Sequence, residues 1–297
     1  MIEVDDDSRP RTGRRKRSRW LWLGVPVGLV VVGGAVAVVV LRDPTRPVSV
    51  EDAVDSYRDR DRDALGDTAD AGALPTGDPP PAGVYVYTTT GSEGVDALNG
   101  TTHTYPATST ITVTTDGDGC LTTRWAPLEQ RWDEEVLCPE DDGGWSRVAT
   151  TVLHSFFDQD ETRVSSCEGP GFVPAPDGDG GGGADDGGDG DDLTWTCASE
   201  GSGRSGESVA EGTVHVVGSD IVTVEGVDRR ALHVRYEDDV TGETTGSGTL
   251  DRWYALDRFP LRLREVGGAT SSSHTVIGTV DYHEDYELVL ASWEPQR

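Results

Sequence analysis

The sequence predicts a mainly β protein, in which one transmembrane helix is followed by an extracytoplasmic antiparallel β-sheet with few helices. Three observations support this prediction. Residues 20–41 form an uncharged apolar run, and the chain from residue 84 onward alternates apolar and polar residues with a period of two. Gly and Asp interrupt that alternation about every eight to fifteen residues, as expected for strands joined by turns.

The apolar run, WLWLGVPVGLVVVGGAVAVVVL, is long enough to cross a bilayer, because a helix of its length reaches about 33 Å. A cleaved signal peptide is the alternative, but cleavage after Ala35-Val36-Ala37 would leave an apolar new terminus. Basic residues are retained on the cytoplasmic side, and seven of them lie in the tail 1–19, whereas only Arg42 and Arg46 follow the run closely. We therefore expect a single-pass protein of the cell membrane, with its N-terminus inside and its C-terminal domain outside the cytoplasm.

The charge of the outer domain argues against nucleic acid as a partner. The basic tail has a net charge of +3, which leaves −32 for the remainder of a chain whose total is −29. Such a domain repels phosphate backbones, although its acidity equally suits plain solubility. The loop 177–192 contains only Asp, Gly and Ala, which predicts a disordered segment. It has neither the EF-hand pattern nor a glycine-rich nonapeptide repeat, so we predict no metal site.

Residues 42–83, between the apolar run and the sheet, are predicted to form a neck, a short helix and a Pro/Gly-rich linker. Residues 42–48 should be extended, and Ser49 can cap a helix that ends or frays in the polar run 58–63. The apolar stripe of this helix consists of Val50, Ala53, Val54 and Tyr57. Residues 66–83 contain three consecutive prolines and favour a linker.

The remaining segment, 84–297, is predicted to hold roughly nine to eleven strands. Its last stretch has apolar residues at one parity, but Glu284 breaks this pattern, so a turn at 283–285 and one long strand both remain open. The members of that apolar parity are Val276, Gly278, Val280, Tyr282, Tyr286, Leu288 and Leu290. In an earlier strand, Arg262 and Arg264 occupy the parity expected to face solvent.

Residues 145–157 leave strand and helix open. Val148, Val152 and Phe156 would lie along one side of a helix, whereas the β-branched residues of the segment favour a strand. A helix here would be a natural cover for the sheet.

The four cysteines, Cys120, Cys138, Cys167 and Cys197, all follow the apolar run, where oxidation is permitted. If residues 126–132 connect a hairpin, paired positions sum to 258, which sets Cys120 opposite Cys138. Cys167 and Cys197 bracket the acidic loop and would join its two ends. No C-x-x-C spacing is present, so structural bridges are favoured over redox chemistry.

No residue is predicted to be catalytic, cofactor-binding or metal-binding. The six histidines are scattered, and the chain has neither an H-E-x-x-H nor a G-x-S-x-G motif. With 54 acidic residues, proximity in sequence cannot single out an acid-base pair. Tryptophans such as Trp125, Trp195 and Trp253 could stack on sugars, but in a strand pattern such residues more often fill the core. We therefore expect neither an enzyme nor a cofactor.

Three segments near the C-terminus resemble the curved sheet of the lipoprotein-carrier proteins (LolA/LppX-like). They are IVTVEGVDRRALHVRYEDDV, GTLDRWYALDRFPLRLREV and GTVDYHEDYELVLASWEP. In that superfamily a strand with Trp-Tyr leads into a Pro-Leu-Arg strand, here Trp253-Tyr254 and Pro260-Leu261-Arg262. The resemblance implies a half-barrel whose concave face, roofed by helices, forms an apolar cavity for lipid or lipoprotein acyl chains. This chain departs from the family in lacking a lipidation cysteine and in offering few helices for the roof.

Two functions from different classes follow. The first is a membrane-anchored extracytoplasmic binding module of unknown ligand, with lipid or lipoprotein as the candidate. The second is a purely structural or assembly domain of the cell envelope, and an exported hydrolase is a third and weaker alternative. The predicted partners are the membrane and either an apolar ligand or an envelope protein. An apolar cavity of several hundred Å³ would favour the binding module, and a collapsed interior would favour the structural domain.

Overall fold

The computed structural model describes residues 43–64, 79–97, 100–169, 172–175, 192–202, 206–275 and 278–297. Within them one helix, α1 (Val50–Ala64), precedes thirteen strands. The strands are β1 (Gly83–Val95), β2 (Thr101–Thr104), β3 (Thr108–Thr115), β4 (Leu121–Leu128), β5 (Arg131–Pro139), β6 (Trp145–Phe156), β7 (Gln159–Glu168), β8 (Leu193–Gly201), β9 (Glu207–Val224), β10 (Val227–Gly242), β11 (Thr244–Ala255), β12 (Arg262–Thr275) and β13 (Gly278–Leu290).

The sheet closes on itself. From β3 to β13 each strand pairs with the next, and β13 then pairs with β1, from Tyr87 opposite Leu290 to Val95 opposite Tyr282. Both β2 and β3 pair with the same edge of β1, β3 along its first part and the short β2 along its last part. Together they occupy one position in the sheet, so twelve strands form the wall. The predicted half-barrel is therefore wrong. In a half-barrel the first and last strands would be free edges, whereas here they share a ladder of nine residue pairs.

The prediction of a transmembrane helix in this fold class is also corrected. The predicted span, 20–41, lies outside the described residues, as do the tail 1–19 and nearly all of the acidic loop 177–192. Within the part of the chain that the structure describes, no helix is both long enough and apolar enough to cross a membrane. This finding contradicts the single-pass assignment and the integral membrane partner with its N-terminus inside.

Helix α1 begins as its sequence predicts and ends later. The Ser49 hydroxyl accepts a hydrogen bond from the Asp52 amide at 3.1 Å and donates to the Asp52 carboxylate at 2.6 Å, which caps the first turn. Ala53, Val54 and Tyr57 are buried in a small cluster with Val84. The helix was expected to end or fray within 58–63, but it continues to Ala64. Arg58 offsets the lack of apolar residues there, since it contacts the Asp55 carboxylate and the Arg297 carbonyl oxygen.

Large side chains fill much of the barrel. An eight-stranded barrel is just wide enough for ordinary side chains to fill, so a twelve-stranded one needs larger residues. The largest fully buried side chains include Trp125, Tyr85, Tyr87, Tyr236, Tyr254 and Phe259.

The two segments for which the sequence left alternatives open both form strands. Residues 145–156 form β6, and β13 runs unbroken through Glu284, which is buried inside the barrel.

Two disulfides join neighbouring strands or their ends. Cys120 is bonded to Cys138, and β4 and β5 have a register in which paired positions sum to 258, for example Leu121 opposite Leu137. Cys167 and Cys197 are bonded and lie directly opposite each other on β7 and β8. Their Cα atoms are 4.2 Å and 4.1 Å apart, respectively. The second bridge closes a loop with a sequence separation of 30.

Removing either bridge should destabilise the protein. Each bridge restricts the unfolded chain, so the double variants C120A/C138A and C167A/C197A should each lose about 3 kcal/mol of unfolding free energy, the second slightly more because its loop is longer. Urea denaturation of the oxidised protein and both variants measures this loss. An unchanged midpoint in either variant would show that the corresponding bridge does not constrain the unfolded state.

Candidate ligand-binding site

Charged side chains are buried inside the barrel. The buried charged residues are Glu93, Arg131, Glu135, Arg252, Arg262, Glu265 and Glu284. An isolated buried charge is very costly, so these groups must be paired and hydrogen-bonded. They form two clusters, and Arg131 with Glu284 lies between them.

The arginine cluster consists of Arg147, Arg252, Arg262, Glu135 and Glu265. Glu135 accepts hydrogen bonds from Arg252 Nη1 at 3.0 Å and Arg262 Nη2 at 2.5 Å. Glu265 accepts one from Arg252 Nε at 2.6 Å and lies 3.2 Å from Arg262 Nη1. Arg147 Nη1 is further away, 3.7 Å from Glu135. Three guanidinium groups thus share two carboxylates, and the cluster has one positive charge in excess.

Two β-bulges turn arginines of this cluster inward. Val136 pairs with Ala149 and Leu137 with Arg147, so Val148 is an extra residue that reverses the parity of β6. In the same way, Leu263 is the extra residue between the partners of Trp253 and Tyr254, which places Arg262 opposite the buried Tyr254. The expectation that Arg262 faces solvent is therefore wrong, since it is only 4% exposed.

The histidine cluster consists of Asp43, Glu93, His103 and His154 at one end of the barrel. The His103 ring is fully buried and bridges two carboxylates, with Nδ1 at 3.1 Å from Glu93 and Nε2 at 3.1 Å from Asp43. Glu93 also contacts His154 Nδ1 at 2.9 Å. Asp43 accepts a further hydrogen bond from the Phe157 amide at 2.6 Å, which ties the neck to the β6–β7 turn.

Arg131 pairs with Glu284 and lies next to the histidine cluster, with its Nε atom 3.9 Å from Glu93. Its Nε and Nη2 atoms donate to Glu284 at 3.0 Å and 3.2 Å, and its Nη1 donates to Asp133 at 3.3 Å. The Tyr105 hydroxyl also donates to Glu284. A bidentate arginine–carboxylate contact of this kind is strong and holds both side chains in one orientation.

A cavity of 280 Å³ lies between the arginine cluster and the Arg131–Glu284 pair. Its lining includes three arginines and six acidic residues, together with Tyr286, Leu250 and Val152. Two glycines on neighbouring strands make room for larger lining groups. A Cβ atom at Gly267 would lie 2.4 Å from the Tyr286 ring, and one at Gly248 would lie 2.7 Å from the Asp238 carboxylate.

Arg147 and Asp238 both line the cavity and have few partners. Arg147 Nε is buried without a hydrogen-bond partner, and Nη2 donates only to the Cys197 sulfur at 3.4 Å. The guanidinium lies over the rings of Phe172 and Trp195, at 3.8 Å and 4.3 Å from their centroids. No described residue donates a hydrogen bond to the Asp238 carboxylate, and no ion pair within 4.0 Å joins it to Arg147. Both groups therefore have hydrogen-bonding capacity left for a ligand.

The electrostatics differ between the paired and the unpaired acids. Burial raises the pKa of Glu135, but attraction to Arg252, Arg262 and Arg147 outweighs it and lowers that pKa to about 2. At Asp238 burial dominates over the attraction of Arg147, so its pKa is raised. Burial likewise lowers the pKa of Arg147. Burial thus disfavours the charged forms of both groups with spare hydrogen-bonding capacity.

The sequence patterns predicted none of these residues as a site. One signal was visible, because Glu284 interrupts an apolar parity and is the acid that binds Arg131. Trp125 and Trp195 are buried within the barrel core, and Trp253 also belongs to the main core cluster. The bridged cysteines flank the site rather than form it, apart from the contact of Cys197 with Arg147.

The arginine cluster should depend on Glu135. Replacing Glu135 with Gln leaves the buried guanidinium groups with one carboxylate, so we expect a loss of about 3–5 kcal/mol in unfolding free energy. The matched control is Glu134→Gln at the preceding residue, whose side chain is 29% exposed and 3.5 Å from Arg124. That change should cost about 0–1 kcal/mol. Equal losses of unfolding free energy in the two variants, measured by urea denaturation, would contradict the pairing of Glu135 with Arg252 and Arg262.

The histidine cluster should make stability depend on pH in two directions. Burial lowers the pKa of His103, but its contacts with Glu93 and Asp43 outweigh this and raise it above 6.5. The stability that His103 contributes to the folded protein is therefore fully present below pH 6.5 and is lost as pH rises through the raised pKa of His103. Burial raises the pKa of Glu93, but hydrogen bonds from His103 and His154 and the charges of His154 and Arg131 lower it from 4.5 to about 2. That contribution is present above pH 4.5 and is lost as pH falls towards 2.

The pair therefore stabilises the protein most between pH 4.5 and pH 6.5. In the variant His103→Gln the loss of stability on the alkaline side should disappear, because no imidazolium remains to be deprotonated there. Melting temperatures measured from pH 3 to pH 9 for both proteins test this. A variant that keeps the same alkaline decline would assign that decline to other groups.

Comparison with protein-family models, with curated proteins and with solved structures found no match to this chain. The resemblance to the lipoprotein carriers accordingly stays a prediction that these comparisons do not test. Fold and site therefore rest on the described residues of this chain itself.

Proposed function

We propose that this protein is an extracytoplasmic binding module whose ligand is a small polar molecule held inside the barrel. The observation that carries the proposal is the cavity of 280 Å³ between the arginine cluster and the Arg131–Glu284 pair, with Arg147 and Asp238 in its lining. Ligand sites are concave and present a few polar groups that converge on the ligand. Two disulfides support an oxidising location outside the cytoplasm.

The chemistry of the lining favours a polar ligand over the lipid or lipoprotein suggested by the family resemblance. An acyl chain in this cavity would remove water from three arginines and several carboxylates without offering them any hydrogen bond. The volume of the cavity also indicates the size of the ligand. At about 30 Å³ for each water molecule, the cavity holds roughly nine water-sized atoms.

Binding is favoured over hydrolysis by the state of the histidine cluster. An Asp–His–Glu arrangement could in principle move protons in catalysis. Here, however, His103 is fully buried, and both of its ring nitrogens contact carboxylates of the protein. Its position fits the fastening of the neck better than contact with a substrate.

Native mass spectrometry of the full-length protein tests the proposal. We expect the mass of the native protein to exceed the mass measured after denaturation. The difference should correspond to one small polar compound that is released on unfolding. The variant Ala269→Leu, which extends a side chain from the cavity lining, should lose this excess. Thr270→Leu, on the exposed face of the same strand, should keep it.

Agreement between the native and denatured masses of the unsubstituted protein would refute the binding function and favour the structural domain. A lipid in the same spectrum would favour the apolar ligand instead. Excess mass that survives Ala269→Leu would place the ligand outside the cavity.

A further inference from the structure

We infer that the ligand of the cavity is a small zwitterion, whose carboxylate binds Arg147 and whose ammonium group binds Asp238. This inference rests on the proposed function and specifies the class of ligand. It starts from two opposite charges that line one cavity without touching each other.

Each of the two groups is held in place separately. The Arg147 guanidinium lies against Phe172 and Trp195 and is bonded to the Cys197 sulfur, so it cannot swing freely towards Asp238. Asp238 lies over Gly248 on the paired strand β11, where only a glycine leaves room for it. A guanidinium and a carboxylate attract each other strongly in a poorly solvated space. Their separation therefore leaves two complementary binding positions in the same cavity.

Charge balance favours a ligand that carries both signs. The lining has six acidic residues against three arginines, so an anion alone would enter a cavity with an excess of negative charge. A cation alone would suit that excess of negative charge but would leave Arg147 with only its distant carboxylate contact, 3.7 Å from Glu135. A zwitterion adds no net charge and supplies one partner to each group. Its carboxylate can accept two hydrogen bonds from a guanidinium fork.

The volume of the cavity matches a ligand of the size of a small amino acid. Space for roughly nine water-sized atoms accommodates a carboxylate, an ammonium group and a short side chain. Leu250, Val152 and Ala269 supply an apolar part of the lining for that side chain. The Tyr286 ring closes another side of the cavity and is fixed by its hydroxyl, which donates to Glu265 at 2.8 Å.

Three matched compounds separate the contributions of the two charges. The probes are 2-aminobutyrate, butyrate, which lacks the ammonium group, and propylamine, which lacks the carboxylate. Titration calorimetry on the full-length protein, freed of bound material by unfolding and refolding, should show 2-aminobutyrate binding at least about tenfold more tightly than either of the others. Equal affinity for all three, or tighter binding of a single-charge probe, would overturn the inference.

Variants assign each charge to its residue. Arg147→Met keeps a flexible apolar side chain against the aromatic rings and leaves two arginines for two carboxylates, so the barrel should fold while 2-aminobutyrate binding is lost. Asp238→Asn should reduce binding of 2-aminobutyrate to the level of butyrate. Arg235→Met is the control, because Arg235 is 48% exposed and pairs with Asp251 on the outside of the barrel. Circular dichroism of each variant checks that the barrel is intact.

The outcomes distinguish this inference from the proposed function. If native mass spectrometry finds a bound uncharged compound such as a polyol, and 2-aminobutyrate does not bind, the zwitterion is wrong while the binding module stands. If neither experiment finds a ligand, both are wrong. If 2-aminobutyrate binds equally well to Arg147→Met, the carboxylate is bound elsewhere and the assignment fails.

Discussion

The width of the closed barrel is the constraint on which the rest of the structure depends. Twelve strands enclose more space than aliphatic side chains can fill, and this interior is filled by aromatic rings and arginines instead. Buried arginines require carboxylates, so acids appear at inward positions of β1, β5, β12 and β13. Because β13 pairs with β1, all of these buried charges share one interior, where each ion pair is stronger than at the surface and each unpaired group is costly.

The cavity follows from how those charges are held. The Glu135 and Glu265 carboxylates are fixed by Arg252 and Arg262, and Glu284 is fixed by Arg131. Closing the gap between these groups would break several hydrogen bonds at once without forming equivalent ones. The interior therefore stays open between the arginine cluster and the Arg131–Glu284 pair, which is the kind of preorganisation that a binding site needs. Arg147 is the exception, since of the three arginines in the arginine cluster it is the one least engaged with a carboxylate.

Local patterns predicted the strands and their hairpins but could not predict closure or the site. Period-two alternation located the strands near the C-terminus, and a hairpin centred between Cys120 and Cys138 gave the register observed from Leu121 to Trp125. Closure depends on pairs such as Tyr87 with Leu290, which no local pattern encodes. The site depends on bulges at Val148 and Leu263, where one extra residue reverses the parity of a strand. Glu284 was a visible exception to parity, yet its partner Arg131 lies 153 residues away.

The neck is part of the barrel's electrostatics rather than a separate tether. Gln130 holds it through the Arg46 amide and the Pro44 carbonyl oxygen, and Asp43 reaches His103. Without Asp43, one nitrogen of a fully buried imidazole and the Phe157 amide would lose their partner, at a cost of about 1–3 kcal/mol for each buried unsatisfied group. His103 in turn contacts Glu93, which lies near Arg131. The chain of charges that begins at the neck therefore extends to the cavity lining, so the segment that enters the barrel and the site inside it are stabilised by the same set of ion pairs.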